Sequence, residues 1–284
     1  MNKTLSFNYY RYQLVPKVTI QGQLDGRASS LDEIKKNKNK YFSEVLKGVK
    51  FNLSKGNLPY KIIYESKERY YLFLSNIKKT SYVKDFKTFD IKSEPYVEIL
   101  VDNNPNVQII AISKNPDAFS HTKTVAKIIE TTFNLKLNKD NVELHVQPIF
   151  EKIDFWKVVK KNPYIEKITF EIIKPNISNI SGVFKGELRE LVDDTNSHQT
   201  LITLNAPPKS FLTEIKEEND KINDIVDYSA EGGGNIKIKF KSERKHYQTE
   251  QSIKNETFST EFEVENAPKD IVGKFFANVF KMLK

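Results

Sequence analysis

The stretch Gly232-Gly233-Gly234-Asn235-Ile236-Lys237-Ile238-Lys239-Phe240-Lys241 decides how the second half of the chain is interpreted. Apolar and basic residues alternate strictly from Ile236 to Lys241, which is typical of a half-buried β-strand. We therefore predict a strand whose apolar residues face a core and whose lysines face solvent. The glycine triplet would form a loop immediately before it.

A second alternating stretch, Phe258 to Glu265, follows the first after a polar connection. It alternates apolar and acidic residues, so the same reasoning predicts another half-buried strand. We expect the two strands to be neighbours. The glutamates Glu261, Glu263 and Glu265 would then lie beside the lysines of the first strand and partly neutralise them.

Similar patterns along the chain predict an α+β protein. Further strands are expected at 7–20 (interrupted at Pro16), 60–65, 70–77, 82–91, 96–101, 107–113, 142–146, 165–173 and 201–204. Helices are expected at 31–46 (with Ser30 as its N-cap), 116–133, 153–159, 183–192, 207–226 and 268–283. We predict two domains, 1–162 and 163–284, each a mostly antiparallel sheet with helices on one face, compatible with variants of a ferredoxin-like plan.

Composition favours a polyanion partner if the positive charge is clustered. The chain has 284 residues, a net charge of +8 and only five arginines among its basic residues. An alternative explanation is that the lysine-rich composition reflects an AT-rich genome.

Cysteine is absent, which excludes disulfides and thiolate chemistry. We expect a cytoplasmic location, because the sequence has neither a signal-peptide-like start nor an apolar run long enough to span a membrane.

Two groups of basic residues are candidate nucleic-acid-binding sites. The first comprises Lys237, Lys239, Lys241, Arg244, Lys245 and His246, with the loop Gly232, Gly233 and Gly234 in front of it. The second comprises Lys35, Lys36, Lys38 and Lys40, on one face of the first predicted helix. In both cases the alternative is structural: the strand lysines pair with glutamates, and the helix lysines form a solvated face. Trp156 is interpreted as a core anchor, with base stacking as the alternative.

No stretch of the sequence has the pattern of a catalytic site. Phosphate-loop, dinucleotide-binding and serine-elbow motifs are all missing. The four histidines, His121, His145, His198 and His246, are not spaced as a metal-binding pair. Glu171 and Lys174 have the wrong spacing to lie together on one strand face, as a metal-dependent nuclease requires. We predict no catalytic residue, no metal and no cofactor.

Two segments in the second half resemble a bacterial family of unknown function whose members lie beside phage-defence genes. The segments are Tyr164–Asn176, ending in Ile172-Ile173-Lys174-Pro175-Asn176, and Asn205-Ala206, followed by a polar helix and a glycine turn. The triplet Gly232–Gly234 is also similar to the glycine-rich loop of CRISPR-associated RNA-binding proteins. The resemblance implies a role in bacterial defence and, for the glycine loop, RNA binding.

These observations lead to three functional hypotheses. The first is a non-enzymatic nucleic-acid-binding accessory protein, a subunit of a bacterial defence-type complex with a protein partner or a second copy of itself. The alternatives are a protein-interaction scaffold that binds no nucleic acid and a divergent metal-dependent nuclease.

Overall fold

A computed structural model describes residues 3–17, 31–53, 56–174, 187–195, 197–241, 246–260, 262–263 and 266–281. The fold is α+β, as the sequence predicts, and every strand pairing is antiparallel. Ser30, the predicted N-cap, lies outside the described residues. None of the helices in these ranges is both long and apolar enough to cross a membrane.

The strands and helices are numbered in chain order. The strands are β1 (Lys3–Pro16), β2 (Phe51–Leu53), β3 (Gly56–Leu58), β4 (Tyr60–Ser66), β5 (Arg69–Ser75), β6 (Lys78–Lys84), β7 (Lys87–Ser93), β8 (Tyr96–Asp102), β9 (Ile109–Ser113), β10 (Val142–Pro148), β11 (Ile165–Ile173), β12 (Gln199–Asn205), β13 (Gly234–Phe240), β14 (Tyr247–Gln248) and β15 (Asn255–Thr260). The helices are α1 (Leu31–Gly48), α2 (Thr122–Leu137), α3 (Lys152–Lys161), α4 (Glu187–Asp194), α5 (Asp220–Tyr228) and α6 (Lys269–Lys281).

The larger sheet has the strand order β10-β1-β9-β8-β5-β4, and β15 also pairs with β1. Helices cover both of its faces, whereas the sequence analysis placed them on one. On one face, α1 and α2 bury side chains such as Phe42 and Phe133. On the other face, α6 buries Phe275 and Phe276. The long strand β1 is apolar on both sides, so a helix on each face removes more apolar surface from water.

The smaller sheet has the order β12-β11-β13-β14, with α3 and α5 on one face. Ile236, Ile238 and Phe240 are buried in its core, as predicted. The predicted pairing of this strand with the Phe258 stretch is wrong, because β13 lies between β11 and β14 while β15 pairs with β1. Alternation shows which residues face a core, but it does not show which strand lies alongside.

The end of the chain packs against its beginning. In β15, Phe258 is paired with Leu5 of β1 and contacts the ring of Phe7 at 6.1 Å between centroids. The helix α6 belongs to the same apolar cluster. The division at residue 162 stays a prediction, and β15 and α6 pack with the sheet formed mainly by the first half of the chain.

Three predicted elements differ from the structure, and the first is the helix predicted at 116–133, which begins only at Thr122. The run 82–91 is not one strand, because a two-residue turn at Asp85 and Phe86 divides it into β6 and β7. The helix predicted at 207–226 begins only at Asp220. Residues 206–219 are irregular, and Lys209 and Glu214 have left-handed backbone angles (φ 63° and 61°), which are incompatible with a continuous right-handed helix.

Candidate nucleic-acid interface

The lysines of β13 are exposed, but they are paired. The Nζ atom of Lys239 lies 2.7 Å from the Glu166 carboxylate, and that of Lys237 lies 3.9 Å from Glu171. Both glutamates belong to β11, not to the stretch that the sequence predicted. Such exposed pairs typically contribute less than about 1 kcal/mol to folding. They nevertheless reduce the positive field that a polyanion would encounter on this face.

The basic residues after β13 are only partly described. Lys241 is exposed at the end of the strand, and His246 is exposed just before β14. Arg244 and Lys245 lie outside the described residues, so their predicted contact with phosphate stays a prediction.

The glycine triplet is buried. A Cβ atom at Gly232 would lie 2.4 Å from the Arg11 Cβ, and one at Gly234 would lie 1.9 Å from the Glu171 carbonyl oxygen. Gly232 also has a φ of 82°, which glycine adopts at little cost. The triplet is therefore required where the turn after α5 passes between the two sheets. This burial does not favour the predicted contact between the glycine loop and phosphate.

The second predicted basic group is only partly exposed. Lys35, Lys36 and Lys40 are exposed on α1, whereas Lys38 is buried. Burial lowers the pKa of Lys38 to about 8, and the nearby charge of Lys35 acts in the same direction. The predicted lysine face is therefore not continuous, because the helix turns Lys38 towards the protein.

A polar cluster joins the two sheets around Glu143. Its carboxylate lies 3.0 Å from Lys17 Nζ and 3.9 Å from a ring nitrogen of both His145 and His198. Burial lowers the pKa of both histidines, which favours their neutral forms at pH 7. Within the described ranges, no group of three histidines, cysteines, aspartates or glutamates is placed to hold a metal ion. We interpret the cluster as a structural link between β10 and the start of β12.

The structure also places basic and aromatic residues together on a hairpin that the sequence analysis did not select. Its strands β6 and β7 pair with each other and with no other described strand. Every residue of both strands is exposed. We call residues Lys78–Ser93 the hairpin arm. Because these side chains are exposed, packing in a core does not explain their residue types. A two-stranded hairpin by itself is also only marginally stable in water.

The register of the hairpin arm determines which side chains share a face. Tyr82 lies opposite Phe89, and their rings stack with centroids 5.5 Å apart and planes at 25°. Lys84 lies opposite Lys87, one pair further towards the turn on the same face. The successive pairs on one face are separated by about 7 Å. A stacked aromatic surface therefore lies directly beside two ammonium groups.

A second lysine pair lies on the opposite face, where Lys79 is paired with Lys92. The hairpin arm has five lysines and two aspartates, and one of these, Asp90, accepts a hydrogen bond from Ser81 at 2.6 Å. None of its lysines forms an ion pair with another described residue, in contrast to Lys237 and Lys239. Like charges directly opposite each other destabilise a strand pair.

The turn of the hairpin arm is conformationally unusual. Asp85 and Phe86 both have positive φ angles, 50° and 62°, as a type I′ turn requires. Phenylalanine rarely adopts this conformation, and the ring of Phe86 is fully exposed. Asn-Gly or Asp-Gly normally indicates such a turn, and here Phe86 replaces the glycine. Without that signal, the sequence pattern predicts one strand over 82–91, which does not bring Lys84 and Lys87 together.

No protein-family model matches the chain, and a search of curated proteins finds no relative.

Proposed function

We propose that the protein binds single-stranded nucleic acid, DNA or RNA, through the hairpin arm. The observation that supports this most directly is the register of β6 and β7, which sets a stacked Tyr82–Phe89 pair beside the Lys84–Lys87 pair on a fully exposed hairpin. Proteins that bind single strands combine these two features, because cations contact the backbone while aromatic rings stack on bases.

The lysine pairs support a polyanion as the ligand. Folding places Lys84 opposite Lys87 and Lys79 opposite Lys92, and each pair raises the free energy of the hairpin. A phosphate backbone lying along the hairpin arm would offset this repulsion and release its own counterions. An uncharged partner would not.

The exposed aromatic residues favour a single strand over a duplex. Bases in a duplex are stacked on each other and present only their edges, whereas bases in a single strand present their faces to aromatic side chains. The hairpin arm contains no arginine. Arginine is the side chain that most often reads guanine by two hydrogen bonds, so we expect binding with little sequence preference.

The resemblance of 164–176 and Asn205-Ala206 to a family found beside phage-defence genes supports a wider proposal. In it, the protein is a non-enzymatic accessory subunit of a bacterial defence-type complex and brings nucleic acid to its partners. The genes that neighbour this one would test that proposal, because neighbouring genes for other defence components would support it and unrelated neighbours would count against it.

A shortened hairpin arm tests the binding proposal. Replacing residues 81–90 with Asn-Gly leaves Thr80 and Ile91, a hydrogen-bonded pair in this register, joined by a favourable two-residue turn. It removes the stacked pair, Phe86 and the Lys84–Lys87 pair. Fluorescence anisotropy with a labelled single strand, a duplex and an RNA of equal length, at two salt concentrations, gives the affinities. We expect the shortened protein to lose most of its affinity for single strands.

The matched control is the double variant Lys237→Gln/Lys239→Gln, which removes two exposed lysines that are already paired with glutamates. We expect it to bind as the unmodified protein does. If the unmodified protein binds no nucleic acid at low salt, the proposed function is wrong. If it binds but the shortened protein binds equally well, the interface lies elsewhere. Binding to anionic lipid vesicles but not to single strands would instead identify the hairpin arm as a membrane contact.

A further inference from the structure

The smaller sheet ends at β12, which pairs only with β11 among the described strands. The backbone amide of Ala206 donates to the Glu166 carbonyl at 2.8 Å, and that of Lys174 donates to the His198 carbonyl at 2.9 Å. Bonded and non-bonded pairs alternate in an antiparallel ladder, so the even-numbered residues of β12 bond to β11. The odd-numbered residues therefore direct their backbone N–H and C=O groups away from the sheet. These residues are Gln199, Leu201, Thr203 and Asn205, and all four are exposed.

These outward backbone groups have almost no partner. Across the described part of the chain, no backbone group bonds to those of Leu201, Thr203 or Asn205. The carbonyl of Gln199 accepts a hydrogen bond from the hydroxyl of the nearby Ser197 at 3.0 Å. A row of unpaired N–H and C=O groups at the edge of a sheet is suited to one kind of ligand, which is another extended strand.

The edge at β12 lacks the features that usually prevent such pairing. Charged side chains and β-bulges are common protection on edge strands. The strand β4, at the edge of the larger sheet, has both, with Lys61, Glu65 and an irregular register between Ile62 and Tyr64. In contrast, the seven residues of β12 are uncharged and include neither proline nor glycine, and their register with β11 is continuous. The edge is therefore open to a further strand.

The sequence of β12 is suited to antiparallel pairing with itself. Because the outward groups belong to odd-numbered residues, Leu201 would bond to Thr203 of a second copy, and Gln199 to Asn205. Ile202 would then lie on the two-fold axis, opposite Ile202 of the second copy. Both copies contribute the same surface, as a two-fold dimer requires. No pair in this register brings like charges together.

The same pairing would cover apolar surface on both faces of the sheet. On the face towards α3 and α5, Ile202 and Leu204 are only partly buried against the core of the smaller sheet. On the other face, the side chain of Leu201 is 63% exposed and would pack beside Thr203 of the second copy. Removing these side chains from water favours association.

We propose that two copies of the chain pair antiparallel through β12 and join their four-stranded sheets into one continuous sheet. A charged peptide is a poorer match, because β12 has no charge with which to select it. This interface is independent of the hairpin arm and of nucleic-acid binding.

A cross-link tests the register. The chain contains no cysteine, so one introduced cysteine reports on one position. In the proposed dimer the two Ile202 Cα atoms are about 4.5 Å apart, within the range of a disulfide, so Ile202→Cys should form a covalent dimer under mild oxidation. Asn205→Cys is the matched control, because Asn205 would lie roughly 20 Å from its own copy along the strands and should form no covalent dimer.

Two charge variants test the same register without a cross-link. Leu201→Lys/Thr203→Lys places lysines opposite lysines, so the mass measured by light scattering should fall from twice 33.0 kDa to 33.0 kDa. Leu201→Glu/Thr203→Glu should have the same effect. Mixing the two variants should restore the dimer, because opposite charges then face each other. This recovery would show that each variant is folded.

Three results would overturn the proposal. The first is an unmodified protein that stays monomeric throughout a dilution series, which would leave the edge to a strand of another protein. The second is equal cross-linking of Ile202→Cys and Asn205→Cys. The third is a mixture of the lysine and glutamate variants that does not dimerise.

Discussion

The lysines of β13 and the lysines of the hairpin arm both project from exposed faces of β-strands, but their neighbours differ. Lys237 and Lys239 lie beside glutamates of β11, in a sheet whose other face is packed against helices. Lys84 and Lys87 lie beside each other, on a hairpin with no core of its own. Exposure alone does not make a lysine available to a polyanion, because the charge on the adjacent strand matters equally.

Changes in β13 and changes in the hairpin arm should differ most in their effect on the free energy of unfolding. We expect Gly234→Ala, at the start of β13, to lower the free energy of unfolding by about 3 kcal/mol or more, because its Cβ would lie 1.9 Å from a backbone oxygen. Urea unfolding measures this. Gly48→Ala is the matched control, because nothing lies within 4 Å of its Cβ position. Shortening the hairpin arm should leave the unfolding free energy unchanged, and a loss similar to that of Gly234→Ala would mean that the arm contributes to the core.

The aromatic pair should have the next largest effect, and it should be on binding. We expect Tyr82→Ala/Phe89→Ala to weaken single-strand binding by about 1–3 kcal/mol for each base that stacks there. Anisotropy titration at fixed salt measures the change. Tyr164→Ala removes an exposed aromatic ring from a distant surface and should have no effect. Equal losses from the two variants would show that stacking on the hairpin arm does not contribute.

Replacing the two pairs of lysines should have different effects on the salt dependence of single-strand binding. For a single strand, each neutralised phosphate contributes about 0.7 to the slope of log affinity against log salt. We therefore expect Lys84→Gln/Lys87→Gln to reduce the slope by about 1.4 and Lys237→Gln/Lys239→Gln to leave it unchanged. The reverse result would assign the interface to β13 and would contradict the comparison.

Lys38 tests the second predicted basic group, through the pH dependence of stability. Its folded pKa is lowered to about 8, so between pH 8 and its ordinary value of 10.5 the unfolded chain binds more protons than the folded one. The unmodified protein should therefore gain stability from this group as pH rises through that window. The stability difference between Lys38→Met and the unmodified protein should shrink over the same interval in urea unfolding. A difference that is constant with pH would mean that Lys38 is charged in the folded protein throughout.

Most of the secondary structure follows from local pattern. The alternation in β13 and in β11, and the apolar spacing in α6, predicted these elements to within a few residues at most of their ends, whereas α2 begins at Thr122 and not at the predicted residue 116. The segment 207–219 was the main exception. Its apolar residues have helical spacing, but contacts with Ile165 and α3 hold it irregular, and a propensity of less than 1 kcal/mol per residue is readily overcome by tertiary contacts.

The candidate site was less accessible to sequence reasoning. The burial of Lys38 and of the glycine triplet depends on which elements pack against them, and neither is visible in the local pattern. The two lysine pairs of the hairpin arm were hidden because Phe86 occupies a turn position where glycine is expected. Without that turn, Lys84 and Lys87 are only neighbours along a strand.

The α+β class, the core-facing residues of β13 and the absence of cysteine chemistry all follow from the sequence, because they depend on composition and on residues that lie close together along the chain. Tertiary structure alone decided which strands are neighbours and therefore which charges are paired. A strand's alternation is satisfied equally by any partner with an apolar face. Only the complete packing placed Glu166 and Glu171 beside the β13 lysines and left the lysines of the hairpin arm unpaired among the described residues.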